Sequence, residues 1–207
     1  MSKLKLRHGK EYFSPSQLKK LHISVGQLQA YLSRVWTPTS AMDLGTLVHC
    51  AILEPEKYKE TYMVLDDSKI CEEIGGAIPT STKSYKQWLL EFSEHNPNQT
   101  IISASDKEIV DRIVRNCDSL GITNTYFDGG EAEKTIKGEV NDFDEAFDAL
   151  CIVDYDTDFM SVDLKTTSKP LHKFRYDANE LGYDIQASLT KAINGKEFVF
   201  VVVQTVE

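Results

Sequence analysis

Val153-Asp154-Tyr155-Asp156-Thr157-Asp158-Phe159-Met160-Ser161-Val162-Asp163-Leu164-Lys165-Thr166-Thr167 reads as two short strands joined by a turn. Cys151 to Tyr155 is a largely apolar, β-prone run, Asp156-Thr157-Asp158 supplies turn chemistry, and Phe159 to Lys165 makes the second strand. Side chains alternate along a strand, so Ser161, Asp163 and Lys165 share one face while Val162 and Leu164 point to the other. Hairpin pairing brings Asp154 on the first strand near Asp163. Two carboxylates and a lysine there make either a surface ion pair, worth about 0–1 kcal/mol, or a site. As a site, the carboxylate oxygens hold Mg²⁺, which keeps waters and takes phosphate oxygens, and the lysine orients a water or stabilises developing negative charge. The spacing alone leaves both readings open.

The 207 residues suffice for one domain with a real core. The expected organisation is a single domain over 1–207, with a helical part over 1–60 and the hairpin, a helix and a late strand over 128–207. Composition is that of a globular chain, 41% apolar and 27% charged. No apolar run reaches the length of a membrane span, and the basic start, Met1-Ser-Lys-Leu-Lys-Leu-Arg-His8, lacks the apolar core of a signal peptide. Cys50, Cys71, Cys117 and Cys151 are scattered without a C-x-x-C, which argues against zinc or an iron–sulfur cluster and for reduced cytosolic thiols. The net charge of −9 counts against coating nucleic acid through a general basic surface but leaves room for a local groove.

Along the chain, Ser14 reads as an N-cap with Pro15 at N1 and Gln17 at N3. Leu18, Leu21, Val25, Leu28 and Leu32 continue at helical spacing with a break near Ser24. Trp36 to Ser40 is a loop. Ala41 to Leu53 is a second helix, closed by Glu54-Pro55, with Leu44, Leu47, Val48, Ala51 and Ile52 on its apolar face. His49 sits at the edge of that face, as a core-boundary histidine or as a metal or phosphate contact. Tyr58 to Leu65 is extended, Asp66 to Thr82 a loop, Ser84 to Ser93 a helix, and Thr100 to Ile102 extended. Ser103 or Ser105 caps the next helix, whose core positions are Ile109, Ile113, Val114 and Leu120.

From Asp128 to Asp158 the chain is strongly acidic, most of it a solvated face. Glu133 is the exception, because its edge-like strand, Glu131 to Lys137, would lie beside the hairpin. After Lys165 the sign reverses. Lys169, His172, Lys173 and Arg175, with Phe174 and Tyr176 interleaved, form either a patch for a phosphate backbone or a loop of exposed cations. Asp177 to Asn194 is a helix with Tyr183, Gln186, Ala187 and Thr190 on one face, and Gly195 caps it. Glu197 to Val206 reads as a buried central strand.

Four segments in order resemble the RecB-type exonucleases of the PDDEXK nuclease superfamily, in particular the phage and prophage branch of exonuclease VIII (RecE). Ser14-Pro15-Ser16-Gln17-Leu18 is similar to that branch's opening S-x-S-x-L. Gly45-Thr46-Leu47-Val48-His49 with Leu53-Glu54-Pro55 is similar to its G-x-x-x-H…LEP helix. Asp154 with Val162-Asp163-Leu164-Lys165-Thr166-Thr167 is similar to D-x₈-D-x-K-T-T, and Gly182-Tyr183-Asp184-Ile185-Gln186-Ala187 to its GYxxQ helix. The resemblance implies an α/β fold of the restriction-endonuclease (PDDEXK) kind, a mixed central sheet flanked by helices. It implies Mg²⁺-dependent hydrolysis, with Mn²⁺ able to substitute, from double-stranded DNA ends in phage-type recombination. Asp154, Asp163 and His49 are then metal ligands, Lys165 is the catalytic lysine, Tyr183 and Gln186 line the site, and Glu133 is an additional acid. For such a substrate the basic patch supplies Lys169, Lys173 and Arg175 as the expected DNA contacts. Relatives form rings that thread DNA, so a homo-oligomer is implied, with a single-strand annealing recombinase as partner, in the cytoplasm of a bacterial host and without a membrane. Relatives usually carry Gly and Arg around the first aspartate, where Cys151-Ile152-Val153-Asp154-Tyr155 stands here, and they continue past the late strand, so the chain reads as a compact or trimmed core. The alternative is a catalytically weak or inactive module on the same fold that binds DNA ends or protein.

Overall fold

A computed structural model describes residues 12–34, 40–64, 82–141 and 146–206. The basic lead before Tyr12, all but the last residue of the loops expected at Trp36 to Ser40 and at Asp66 to Thr82, and Cys71 lie outside the described residues; Ser40 opens a helix and Thr82 caps one.

Helix α1 (Pro15–Ile23) starts as its sequence dictates. Ser14 Oγ accepts from Gln17 N and Gln17 Oε1 accepts from Ser14 N at 2.7 Å, closing a reciprocal cap. Ser24 ends it and caps α2 (Val25–Ser33), its Oγ accepting from Gln27 N at 3.1 Å, so the break falls at Ser24 as expected. Helix α3 (Ser40–Leu53) stops before Pro55. That proline cannot continue α3 but suits the first position of α4 (Pro55–Thr61). Tyr58, expected in an extended segment, is therefore helical, and only Tyr62–Val64 forms strand β1. It pairs in parallel with β2 (Thr100–Ile102), which follows α5 (Lys83–His95). Ser103 is the residue that caps α6 (Ala104–Ser119), and the short α7 (Ile122–Tyr126) follows.

The second half builds a four-stranded mixed sheet in the order β3-β4-β5-β6. Strands β3 (Glu131–Val140), β4 (Phe147–Asp156) and β5 (Met160–Thr167) form an antiparallel meander. After a 3₁₀ turn (Leu171–Lys173), α8 (Phe174–Glu180) and α9 (Tyr183–Asn194) carry the chain to β6 (Glu197–Gln204), parallel to β5. The single helix expected over Asp177 to Asn194 is thus two, divided at Gly182, whose φ of 63° takes the chain out of the helical region. Strand β6, expected in the centre of a sheet, is the outer strand of the four. Its valines and phenylalanines are apolar on both sides because helices cover both faces.

On one face Leu47, Val48, Ala51 and Ile52 of α3 and Val110, Ile113 and Cys117 of α6 pack on Val162, Leu164, Val201 and Val203. On the other, Leu189 of α9 packs with Val140, Ala149 and Cys151, joined by Leu18 of α1 and by Ile193. A polar knot fixes the β4–β5 turn. Asp156 accepts from Ser161 Oγ at 2.7 Å and from Lys196 Nζ at 2.7 Å, and Asn194 Nδ2 donates to Ser161 Oγ at 2.8 Å. Among the described residues no helix is long and apolar enough to cross a membrane.

Candidate active site

Strands β4 and β5 stay paired only at Tyr155 with Val162 and Asp156 with Ser161, and then part. The Asp154 carboxylate enters that gap, where its Oδ2 accepts from Leu164 N at 2.6 Å. On its other side the β3–β4 ladder pairs Ala132 with Tyr155 and Lys134 with Val153 but skips Glu133, which faces Asp154. Glu133 has φ 52°, the left-handed region that costs a non-glycine residue about 1–2 kcal/mol. Such strain persists only where the surroundings impose it, and it gathers at functional sites.

The third contributor is α3, which lies close over β5 with Gly45 against the Thr166 hydroxyl. One turn later His49 places Nδ1 3.5 Å from Asp154 Oδ2. His49, Glu133 and Asp154 each offer one ligand atom, and these atoms all lie within 4.8 Å of one another. Asp163, 2% exposed, is turned toward α9 instead. Its Oδ1 accepts from Gln186 Nε2, and its Oδ2 meets the Lys165 ammonium as an ion pair without a hydrogen bond of good angle.

The electrostatics follow from burying like charges together. Burial, then the neighbouring Asp163, pushes the Asp154 carboxyl up to about 7. Burial and then Glu54 raise Glu133. Burial and then Lys165 lower His49, so its imidazole is neutral at pH 7 and has a lone pair to offer. Burial works against the Lys165 ammonium, but Asp163 and Asp154 outweigh it, and its pKa is raised. Two carboxylates that resist ionising and one neutral imidazole form a donor set that a divalent cation suits, since the cation compensates the charges that burial disfavours.

Tyr183 and Gln186 of α9 face the hairpin, as their shared helix face implies. Tyr183 stacks on Phe200 at 5.4 Å between centroids, and Lys165 Nζ lies 5.3 Å from the tyrosine centroid. The other expected basic residues are placed differently. Lys169 is ion-paired with Asp177 at 2.6 Å, Arg175 donates to the Tyr176 hydroxyl at 2.8 Å and lies over that ring, and Lys173 is exposed in the 3₁₀ turn. One site residue escaped the sequence reading. Lys19 of α1 reaches Gln186 Oε1 at 3.3 Å and lies 4.8 Å from the Tyr183 centroid. Nothing in the pattern separates Lys19 from Lys20; only the docking of α1 on α9 does.

Residues 14–205 match a family described as a PDDEXK-like domain of unknown function (DUF3799). No curated protein matches the chain.

Proposed function

Since the chain belongs to this PDDEXK-like family, we propose that it is a metal-dependent nuclease that hydrolyses phosphodiester bonds from the ends of double-stranded DNA. Fold alone does not fix an activity; the site does. The observation that carries it is the convergence of the sequence segments, the first of them through Lys19, the residue that follows it. The opening helix delivers Lys19, the G-x-x-x-H helix delivers His49, the hairpin delivers Asp154, Asp163 and Lys165, and the GYxxQ helix delivers Tyr183 and Gln186.

Asp154, Glu133 and His49 would hold the divalent cation, with Asp163 beside them. When bound, the cation would supply Lewis acidity and a water of lowered pKa; the carboxylates suit Mg²⁺ or Mn²⁺, and the imidazole of His49 suits Mn²⁺ better than Mg²⁺. Lys165 brings a buried ammonium to the place where negative charge develops on the phosphoryl oxygens. Gln186 fixes the Asp163 carboxylate, and Tyr183 walls the lysine side of the site. The preference for ends, a ring-forming homo-oligomer and a recombinase partner extend this proposal from the motif resemblance.

A binding module without turnover is the second reading. It is favoured by Asp163, whose two oxygens face Gln186 and Lys165 of the chain itself. Incubation of linear and covalently closed duplex DNA with Mg²⁺, alongside Lys165→Ala, separates the readings. The expected result is loss of linear DNA only, abolished in the variant. Cutting of closed circles would make the protein an endonuclease, and DNA binding with no digestion would favour the module.

A further inference from the structure

Lys19 is held by three residues of one short motif. The stem packs on Gly182, where a Cβ would come within 3.2 Å of Lys19 Cγ. The ammonium lies over the Tyr183 ring and donates to Gln186 Oε1. The other end of that amide is committed, because Nε2 donates to Asp163 Oδ1, so Gln186 can only present its carbonyl to Lys19. The lysine is therefore built into the site rather than laid across its surface.

Its charge is poorly compensated. Among the described residues no carboxylate forms an ion pair with Lys19, whereas Lys165 has Asp163. Lys19 Nζ and Lys165 Nζ approach one tyrosine ring, at 4.8 and 5.3 Å from its centroid. The charges that act on Lys19 are Lys165 and Lys20, which disfavour its ammonium, and Asp163 and Asp184, which favour it. Two ammonium groups drawn to one ring repel each other, and an anion between or beside them reverses that sign. A neutral carbonyl at 3.3 Å is a weak partner for an ammonium, and a phosphate oxygen is a stronger one.

We propose that Lys19, seated on Gly182, Tyr183 and Gln186, is a substrate-positioning residue that binds a backbone phosphate of the nucleic acid, and that the GYxxQ segment serves as its cradle. The proposal rests on the nuclease reading for its substrate class, and it is tested by binding rather than by cutting. A ground-state phosphate contact acts on affinity and KM, while kcat changes little.

The experiment measures affinity for a short blunt duplex against salt concentration, with Ca²⁺ in place of Mg²⁺, for wild type, Lys19→Met and Lys19→Arg. Methionine keeps much of the apolar stem on Gly182 and Tyr183, and a thermal melt checks that each variant folds. The expected result is affinity lowered roughly tenfold in Lys19→Met, the weak end for a charged hydrogen bond. The slope of log K against log salt should fall by about 0.9, one phosphate contact, and Lys19→Arg should restore it. An unchanged slope in a folded Lys19→Met overturns the proposal while leaving the nuclease reading intact. The slope difference between wild type and Lys19→Met in Ca²⁺, together with no digestion of linear duplex by wild type in Mg²⁺, upholds the lysine contact and overturns the nuclease reading. Wild type that does not bind DNA overturns both.

Discussion

A carboxyl pushed up to about 7 by burial and by Asp163 is half ionised near neutrality, and Asp154 is that group. The folded protein binds its proton more tightly than the unfolded chain does. Its contribution is therefore most favourable below the ordinary aspartate pKa and declines as pH rises through the folded value. Metal-free protein should lose stability as pH rises from about 4 to about 7.5, by at most about 4 kcal/mol from this group. Asp154→Asn should flatten that decline, because the amide oxygen can still accept from Leu164 N without titrating. Added Mg²⁺ should restore wild-type stability at pH 8 more than at pH 5, since the metal competes with the proton. Equal pH slopes in wild type and Asp154→Asn would refute this account. The residues involved were unequally legible. Asp154, Asp163 and Lys165 stand out by spacing on a strand pair, and Glu133 by adjacency. On helical periodicity His49 is as good a core-edge residue as a ligand, and Lys19 is set apart from Lys20 only by which of them meets α9.

Elements position these groups through two tight features. The first is the distorted backbone in β3. At φ 52° glycine is at home and alanine is not, so Glu133→Gly should be more stable than Glu133→Ala by about 1 kcal/mol. Both should bind divalent metal more weakly than wild type, which calorimetric titration with Mn²⁺ and urea melts would read together. The same stability for the two variants would mean that the β3 backbone relaxes once the carboxylate is gone. The second feature is the seat of α9. A Cβ at Gly138 would come within 2.9 Å of Ile193 Cβ and 3.2 Å of its carbonyl oxygen. Gly138→Ala should cost about 1–3 kcal/mol by overpacking, against about 0.4–1 kcal/mol gained from a stiffer unfolded chain, so a net loss in a denaturant melt is expected. Helices α1, α2, α3, α5 and α6 and the hairpin were readable because caps and periodicity are local, whereas α4 was hidden because a helix of only 7 residues opened by a proline also reads as extended. The split at Gly182 was not, since a glycine inside a periodic run is also compatible with one continuous helix. The outer place of β6 was hidden for another reason: an apolar strand covered on both faces looks the same in the middle of a sheet or at its side.

At the scale of the molecule, charge sets how this site meets its substrate. The meander and its crossover could be read in outline from the order of strand and helix signals. The pairing of β1 with β2 could not, because contacts between distant three-residue strands leave no periodic trace. A chain of net charge −9 gains little from general attraction to DNA. Within the site, Glu133, Asp154 and Asp163 oppose a phosphate, while Lys165 and Lys19 favour it. Without metal the balance is repulsive, and a divalent cation among the acids turns it. DNA affinity should therefore rise on adding Ca²⁺ by more than the cost of the added ionic strength. The double variant Glu133→Gln, Asp154→Asn should bind DNA about tenfold more tightly than wild type in metal-free buffer at pH 8.5, above the raised Asp154 value, because two charges several ångströms from a phosphate are each worth roughly 0.5–1 kcal/mol through a wet dielectric. The same variant should lose the Ca²⁺ enhancement. Anisotropy titrations in EDTA and in Ca²⁺ supply both readings. If the variant binds no better than wild type in EDTA, the acids do not face the bound phosphate, and the assignment of this corner of the sheet as the place where DNA is held fails with that result.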